Sequence, residues 1–258
     1  MYIKIRNINS TSNNSLREII ARKDDLFFFE GEKLVMDIIR IGESIRFLIL
    51  NDEKRDTFKI NDINAEEVWF VDEKVLRKMS SMKDPPEMIA IIETIPGRID
   101  FINDALIFVL DNIQDPANMG TVFRCAAAFG ISSIALTGNC VKLNNPKFLR
   151  GAQNSVFSVY SKYFKNLDMF INEALENEIN IYLTSSYDQA KTIKTNEIKL
   201  PAAILIGNEG KGIDKEYFKN FETVRISQSD EIESLNAGVS ACIIMNSLKE
   251  KFRLLGRN

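Results

Sequence analysis

Three segments in the C-terminal half of the chain each place turn-forming residues directly after an apolar, strand-like run. The runs are ALIFVL, AAILIG and TVRIS, and they lead into the segments 111–130, 205–213 and 226–248. Glycine, asparagine and hydroxyl side chains follow each run. Parallel α/β proteins build ligand-binding loops in this way, at the carboxyl ends of their strands. The pattern predicts an α/β protein with a site at one edge of its sheet.

The rest of the chain fits a two-domain arrangement. After residue 103, strand-like and helix-like stretches alternate, which predicts a mostly parallel sheet with helices on both faces. The first hundred residues also alternate and predict a small αβ sandwich. Pro96 and Gly97 mark a linker over 95–103. We therefore expect one domain over 1–102 and a second over 103–258.

Local signals predict several boundaries in the second domain. Asn118 follows Pro116 and is expected to cap the start of a helix that ends at Gly130. A short helix is expected from Pro146. A strand is expected near 156–160.

Composition removes several classes of chemistry. The chain has no histidine, so Ser-His-Asp triads, histidine-ligated metals and an imidazole base are excluded. Its three cysteines, Cys125, Cys140 and Cys242, lie far apart without CxxC spacing. This spacing favours neither a disulfide framework nor a zinc site, and we expect no metal. Cys125 and Cys242 are expected to be core residues.

Two further features concern location and partners. No apolar run approaches the roughly 20 residues that span a bilayer, and no signal peptide is recognisable, so we expect a cytoplasmic protein without membrane segments. No acidic residue lies between Asp115 and Asp168, whereas six basic residues do. Lys142, Lys147 and Arg150 in this stretch are candidates for a local phosphate-binding face. Charges scattered for solubility are the alternative.

The first two segments contain residues that capping or turn formation does not fully explain. Arg124 stands in a helix of mostly small apolar residues, which suggests a cation placed near a cleft. The GNEGKG sequence matches neither a dinucleotide fingerprint nor a P-loop, but its glycines allow backbone amides to face a ligand. Glu209 either stabilises this turn or binds substrate.

The third segment precedes an apolar helix whose first residues are small. Ser234 or Asn236 could cap this helix or act in a site. Ala237 and Gly238 are small enough for another backbone to approach closely.

In order and spacing, these three segments resemble the three motifs of the SpoU (TrmH-type) RNA 2′-O-ribose methyltransferases of the SPOUT superfamily. The stretches LFFFEGEKLVMDIIRIG and PPEMIAIIE resemble the RNA-substrate-binding domain often fused to them. The resemblance implies a C-terminal α/β fold tied in a deep trefoil knot, a homodimer, and S-adenosylmethionine as methyl donor.

The resemblance also implies roles for individual residues. The catalytic residues would be Asn118, Arg124, Glu209, Ser234 and Asn236. The cofactor-binding residues would be Thr184, Ser185, Ile206, Gly207, Asn208, Glu209, Gly210, Ile226, Ser234, Leu235 and Asn236. The chain departs from the family pattern at one place. Residues 150–155 read RGAQNS where many members have an RASMGA-like segment. Of the residues that usually make contacts in this segment, only Arg150 is retained.

The implied activity is S-adenosylmethionine-dependent methylation of a ribose 2′-hydroxyl, with 23S ribosomal RNA favoured. A transfer-RNA substrate, a base nitrogen as acceptor and a non-catalytic knotted RNA-binding protein are alternatives. Housekeeping and resistance roles both stay open. Arg124 would act as a base or as an electrostatic stabiliser, and the second is favoured because arginine stays protonated.

Overall fold

The structure is a computed structural model that describes residues 3–60, 63–186, 192–229 and 231–253. Its contacts divide the chain into two units. The first contains 1–95 and 143–154, and the second contains 96–142 and 155–258. The chain passes between the units after residues 95, 142 and 154, and the first of these points lies in the segment 95–103. The sequence did not indicate that 143–154 would group with the first unit.

The first unit is built on a five-stranded sheet in the order β1-β4-β3-β5-β2. Strands β1, β4 and β3 are mutually parallel, and β5 runs antiparallel to β3 and β2. The elements in 1–95 are β1 (Lys4–Ile8), α1 (Asn14–Ala21), β2 (Phe27–Glu30), α2 (Glu32–Ile41), β3 (Ile45–Asn51), β4 (Ala65–Val71), α3 (Glu73–Met79) and β5 (Met88–Ile92).

The core of the first unit follows from its apolar strands. All five residues of β5 are buried, and Trp69 and Phe29 are among the largest fully buried side chains. Gly31 and Gly42 bound α2, and Gly42 adopts the left-handed conformation that ends many helices. Strands β1 and β2 were not predicted.

The second unit contains a sheet in the order β10-β12-β9-β11-β6-β7-β8, and every neighbouring pair is parallel. The remaining elements are β6 (Leu106–Asp111), α4 (Pro116–Phe129), β7 (Ser133–Thr137), α5 (Pro146–Ala152, in the first unit), β8 (Tyr160–Phe164), α6 (Leu167–Glu176), β9 (Asn180–Thr184), β10 (Thr192–Ile193), β11 (Ala202–Ile206), β12 (Glu222–Val224) and α7 (Ala237–Arg253). Every residue of β6, β7 and β11 is buried, as expected for a parallel sheet flanked by helices. The predicted fold class is confirmed.

Two local predictions were wrong. The strand expected at 156–160 is a 3-10 turn over Gln153–Phe157 followed by β8, which begins at Tyr160. Ser155 accepts backbone hydrogen bonds from Ser158 and Val159 at 3.1 and 2.9 Å, so the buried valines there belong to a turn. Asn118 does not cap α4. Asp115 does, by accepting from the Ala117 amide at 2.8 Å.

The cysteines also differ from expectation. Cys125 in α4 and Cys242 in α7 form a disulfide with a Cα–Cα distance of 5.6 Å, which corrects the prediction that no disulfide would form. Packing of α4 against α7 brings these sulfurs together across 117 residues of sequence. Cys140 is free, and burial raises the pKa of its thiol to about 11. None of the described helices is long and apolar enough to cross a bilayer.

The N-cap of α4 can be tested by substitution. Asp115→Ala should lower the free energy of unfolding by about 1 kcal/mol because the Ala117 amide loses its acceptor. Asp115→Asn should stay near wild type, since its side-chain oxygen can still accept. Urea denaturation measures both variants. Equal stability of the alanine variant and the wild type would contradict this assignment.

Candidate functional site

The candidate site lies at the carboxyl edge of the second unit's sheet. Strands β9, β11 and β6 are neighbours there, and their parallel register pairs Ile206 with Leu110 and Leu205 with Leu183. Strand β12 pairs with β9 so that Val224 lies opposite Thr184. Because all these strands run in one direction, the loops that follow them emerge side by side.

The segments that follow β9, β11 and β12, together with the start of α7, line a cavity of about 670 Å³. Its walls combine apolar side chains with backbone from a glycine-rich turn. Of the eleven residues predicted to bind the cofactor, the structure brings ten together here, namely Thr184, Ser185, Ile206, Gly207, Asn208, Glu209, Gly210, Ile226, Ser234 and Leu235. Asn236 is not among the lining residues in the described part of the chain.

Sequence reasoning missed the other residues that line the cavity. Some extend the predicted motifs, and continuing the GNEGKGI and SLNAG motifs by a few positions could have identified them. Others come from elements without a recognisable motif. They are Ser186, Lys211, Gly212, Ile213, Lys215, Phe218, Val224, Gln228, Glu233, Ala237, Ser240 and Ile244.

The turn over 207–212, here called the glycine turn, is held by its own asparagine. Asn208 Oδ1 accepts from the amides of Gly210 and Lys211 at 2.9 and 3.2 Å. The Asn208 carbonyl accepts from the Gly212 amide at 2.8 Å, and Gly212 adopts a φ of 68°. A Cβ at Gly207 would lie 2.6 Å from Gly212 C and from Ile213 N. The turn therefore requires glycine at its first position.

Three hydrogen-bonded side chains join the three sequence motifs. Asn118 Nδ2 donates to Glu209 Oε1, and Asn236 Nδ2 donates to Asn118 Oδ1 at 2.8 Å. Asn118 is only 8% exposed, and both the nitrogen and the oxygen of its side-chain amide are hydrogen-bonded. Asn236 Oδ1 also accepts from the Val239 amide at 3.1 Å, so Asn236 caps α7 as well.

The small residues that begin α7 allow this close packing. A Cβ at Gly238 would lie 3.2 Å from the Asn118 carbonyl oxygen and equally close to Asn236 Oδ1. Glu209 and Ser234 line the cavity, whereas Asn118 and Asn236 are not among its described lining residues. Asn118 bonds to Glu209, and Asn236 bonds to Asn118.

The predicted cations lie elsewhere. Arg124 is exposed on α4 and is not among the described residues that line the cavity. Arg150 Nη1 donates to Ser81 Oγ at 2.8 Å and lies 3.7 Å from the buried Glu30 carboxylate, which gives it a role within the first unit. Lys142 and Lys147 are exposed. No cluster of metal-ligating side chains occurs in the described parts of the chain.

The glycine turn can be tested with a matched pair of substitutions. Gly207→Ala should lower the free energy of unfolding by about 1–3 kcal/mol because the added methyl group meets backbone atoms. Gly210→Ala should change it by less than about 0.5 kcal/mol, since a Cβ there would lie 3.4 Å from its nearest neighbour, Asn208 Oδ1. Thermal or urea unfolding measures both. Equal effects of the two substitutions would contradict the described turn.

Comparison with known proteins identifies the family of this chain. Residues 105–246 match the model of the SpoU rRNA Methylase family. A Bacillus subtilis protein named 23S rRNA (guanosine(2553)-2′-O)-methyltransferase RlmP is 24% identical over 228 residues, which cover 88% of this chain and 90% of that protein. A Streptomyces viridochromogenes protein named 23S rRNA (uridine(2479)-2′-O)-methyltransferase is 23% identical, covering 83% of this chain and 81% of that protein.

Solved structures show the same fold. The structure of an AdoMet-bound rRNA methyltransferase from Sinorhizobium meliloti matches with a TM-score of 0.78 and 24% identity, over 97% of this chain and 98% of that one. The matched family model covers more than half of the chain and contains the first two motifs and the third as far as residue 246. The resemblance predicted from those motifs is confirmed, and the chain belongs to the SpoU rRNA Methylase family.

Proposed function

We propose that this protein is an S-adenosylmethionine-dependent methyltransferase that methylates a ribose 2′-hydroxyl of 23S ribosomal RNA. The observation that carries this proposal is the cavity at the carboxyl edge of the second sheet. Residues of the second and third family motifs line this cavity, and Asn118 of the first motif hydrogen-bonds to both of those motifs. The names of two relatives that align with most of this chain support the choice of 23S RNA.

The cavity fits the methyl donor in size and chemistry. Its volume of about 670 Å³ falls within the range of roughly 300–1,000 Å³ usual for small-molecule sites. Ile206, Ile226 and Leu235 offer apolar surface for an adenine ring, and the glycine turn offers backbone groups for polar contacts. When bound, S-adenosylmethionine supplies a methyl group activated by its sulfonium.

The chain's own residues would position the reaction and stabilise its charge. Asn118 and Asn236 hold Glu209 in place, and this fixed geometry favours an in-line approach of the 2′-oxygen. The 2′-oxygen would form a bond to the methyl carbon as the carbon–sulfur bond breaks, its proton would pass to water, and the donor would leave as the uncharged thioether S-adenosylhomocysteine. Arg124 would contact the acceptor and offset the negative charge that develops on this oxygen, since a guanidinium stays protonated at neutral pH.

RNA binding is assigned to the basic stretch and to the first unit. Lys142 and Lys147 are exposed and available to phosphates, whereas Arg150 already contacts Ser81 and lies near Glu30. RNA is the substrate class because the reacting atom is its 2′-hydroxyl. Affinity that depends on phosphate contacts falls as salt concentration rises. A cytoplasmic location belongs to the same proposal, because the two relatives named as 23S rRNA methyltransferases come from bacteria, whose ribosomal RNA is in the cytoplasm.

The deep trefoil knot is also part of the proposal. A chain that passes through its own loop would bring α7 back to α4 and the glycine turn, where Asn236, Asn118 and Glu209 meet.

The central experiment identifies the methylated product. Purified protein is incubated with methyl-labelled S-adenosylmethionine and either unmodified 23S ribosomal RNA or transfer RNA, at low and moderate salt, and the RNA is digested to nucleosides. We expect label in a 2′-O-methylnucleoside from 23S RNA. Label only in transfer RNA would show that transfer RNA, not 23S RNA, is the substrate. Label on a base nitrogen would overturn the assignment of the 2′-hydroxyl as the methyl acceptor. Absence of label with both RNAs would favour a non-catalytic role.

The role of Arg124 can be separated from donor binding. Arg124→Lys should reduce turnover at least about tenfold because lysine keeps the charge but loses the planar guanidinium fork. Its affinity for S-adenosylmethionine should stay within about twofold of wild type, since Arg124 does not line the described cavity. Single-turnover kinetics and calorimetry measure the two quantities. Turnover near the wild-type value would exclude a role that depends on guanidinium geometry.

The proposed homodimer would use the exposed face of α7. Val239 and Ile243 are 46% and 38% exposed, and their spacing of four places both on one face of the helix. Val239→Glu should convert a dimer to a monomer in light scattering, because a charge would be buried in the interface. Met169→Glu, at an exposed position on α6, should leave the dimer intact. A wild-type monomer at micromolar concentration would refute the dimer.

A further inference from the structure

Asn112 occupies an unusual backbone position beside the candidate site. It directly follows β6 and adopts a φ of 56°, in the left-handed region that residues other than glycine seldom visit. Asparagine tolerates this region better than most residues do. Asn112 is half-buried and is not among the described residues that line the cavity. Any effect on the site must therefore pass through another residue.

Asn112 connects the loops that follow three neighbouring strands. Its backbone N–H donates to the Thr137 carbonyl at 3.1 Å, at the end of β7. Its side-chain Oδ1 accepts from the Asn139 amide at 3.0 Å. Its carbonyl oxygen accepts from Asn208 Nδ2 at 2.9 Å, in the glycine turn after β11. One residue thus joins the ends of β6, β7 and β11.

The link to Asn208 bears directly on the cavity. The Asn208 amide is held on both sides, because its nitrogen donates to Asn112 and its oxygen accepts from Gly210 and Lys211. Rotation of this amide would exchange its donor and acceptor and break all three bonds. The position of the Asn112 carbonyl therefore determines how the cavity-lining part of the glycine turn is held.

Buried polar groups keep Asn112 in its place. Asp111 is 8% exposed, and its Oδ1 accepts from Asn112 Nδ2 at 3.0 Å and from Thr137 Oγ1 at 2.6 Å. Thr137 is fully buried. A Cβ at Gly138 would lie 2.4 Å from Asn112 Oδ1, so the neighbouring loop is shaped to receive this side chain.

We propose that Asn112 is a positioning residue for the methyl donor, which holds the glycine turn in its binding conformation through Asn208. This inference rests on the proposed function for the identity of the ligand. The positioning of the glycine turn itself rests on the hydrogen bonds alone. The benefit to binding would come from a turn already ordered before the ligand arrives.

The test uses Asn112→Gly, which tolerates the left-handed backbone and removes both side-chain hydrogen bonds. Glu178→Gly is the matched control, because Glu178 has a φ of 57° and is exposed in the turn after α6. Calorimetry should show an S-adenosylmethionine Kd about five- to tenfold higher for Asn112→Gly and unchanged for Glu178→Gly. In ligand-free protein, exchange of the Gly210 and Lys211 amides should accelerate about tenfold, while amides in β6 and β11 keep their rates.

A double-mutant cycle tests whether the effect passes through Asn208. Asn208→Asp keeps the oxygen that accepts from Gly210 and Lys211 and loses the nitrogen that donates to Asn112. In this background Asn112→Gly should change the Kd less than twofold. Independent, multiplicative effects would overturn the proposed route. Unchanged amide exchange at Gly210 and Lys211 would overturn the positioning role of Asn112. Because exchange is measured without ligand, it tests this role even if the wild type does not bind S-adenosylmethionine.

Discussion

The parallel pairing of β6 with β11 is the constraint on which the site depends. This pairing places Leu110 opposite Ile206, so the segments that follow the two strands start at the same edge of the sheet. Asn112 and Asn208, 96 residues apart in sequence, then lie within hydrogen-bond distance. Asn118 and Glu209, 91 residues apart, meet in the same way. An antiparallel arrangement would send these segments to opposite edges.

The polar side chains at this edge form two hydrogen-bonded clusters, one of Asn118, Glu209 and Asn236 and the other of Asp111, Asn112, Thr137 and Asn208. Asn118 uses both ends of its amide, and Asp111 accepts from two neighbours. A buried polar group without a partner costs about 1–3 kcal/mol, so loss of one member penalises those that remain. Such mutual dependence favours loops that are ordered before a ligand binds. Ordering in advance lowers the conformational cost of binding.

Much of the fold could be predicted because its apolar runs are clearly bounded. The predicted apolar runs ALIFVL and AAILIG became β6 and β11, since turn-forming residues directly follow both runs. Strand β1 was missed because its sequence, KIRNI, is mostly polar and lies at the edge of a sheet. The N-cap of α4 was misplaced by three residues, although Pro116 at the first helical turn favours the aspartate before it.

The site could be predicted as motifs but not as contacts. The family motifs identified most residues around the glycine turn, whereas Phe218 reaches the cavity from a segment outside the three motifs. The Cys125–Cys242 disulfide was missed because only the packing of α4 on α7 brings these residues together. Arg150 retains the family residue, but its contacts lie with Ser81 and Glu30, which no local pattern indicates.

The most direct test of the central claim is a crystal structure of the protein with S-adenosylmethionine. We expect the donor in the cavity, with its adenosine between the glycine turn and the segment from Ile226 to Leu235, and with the Asn118–Glu209 hydrogen bond intact. Donor bound at another place, or an empty cavity at millimolar donor concentration, would contradict the assignment of this edge as the methyl-donor site.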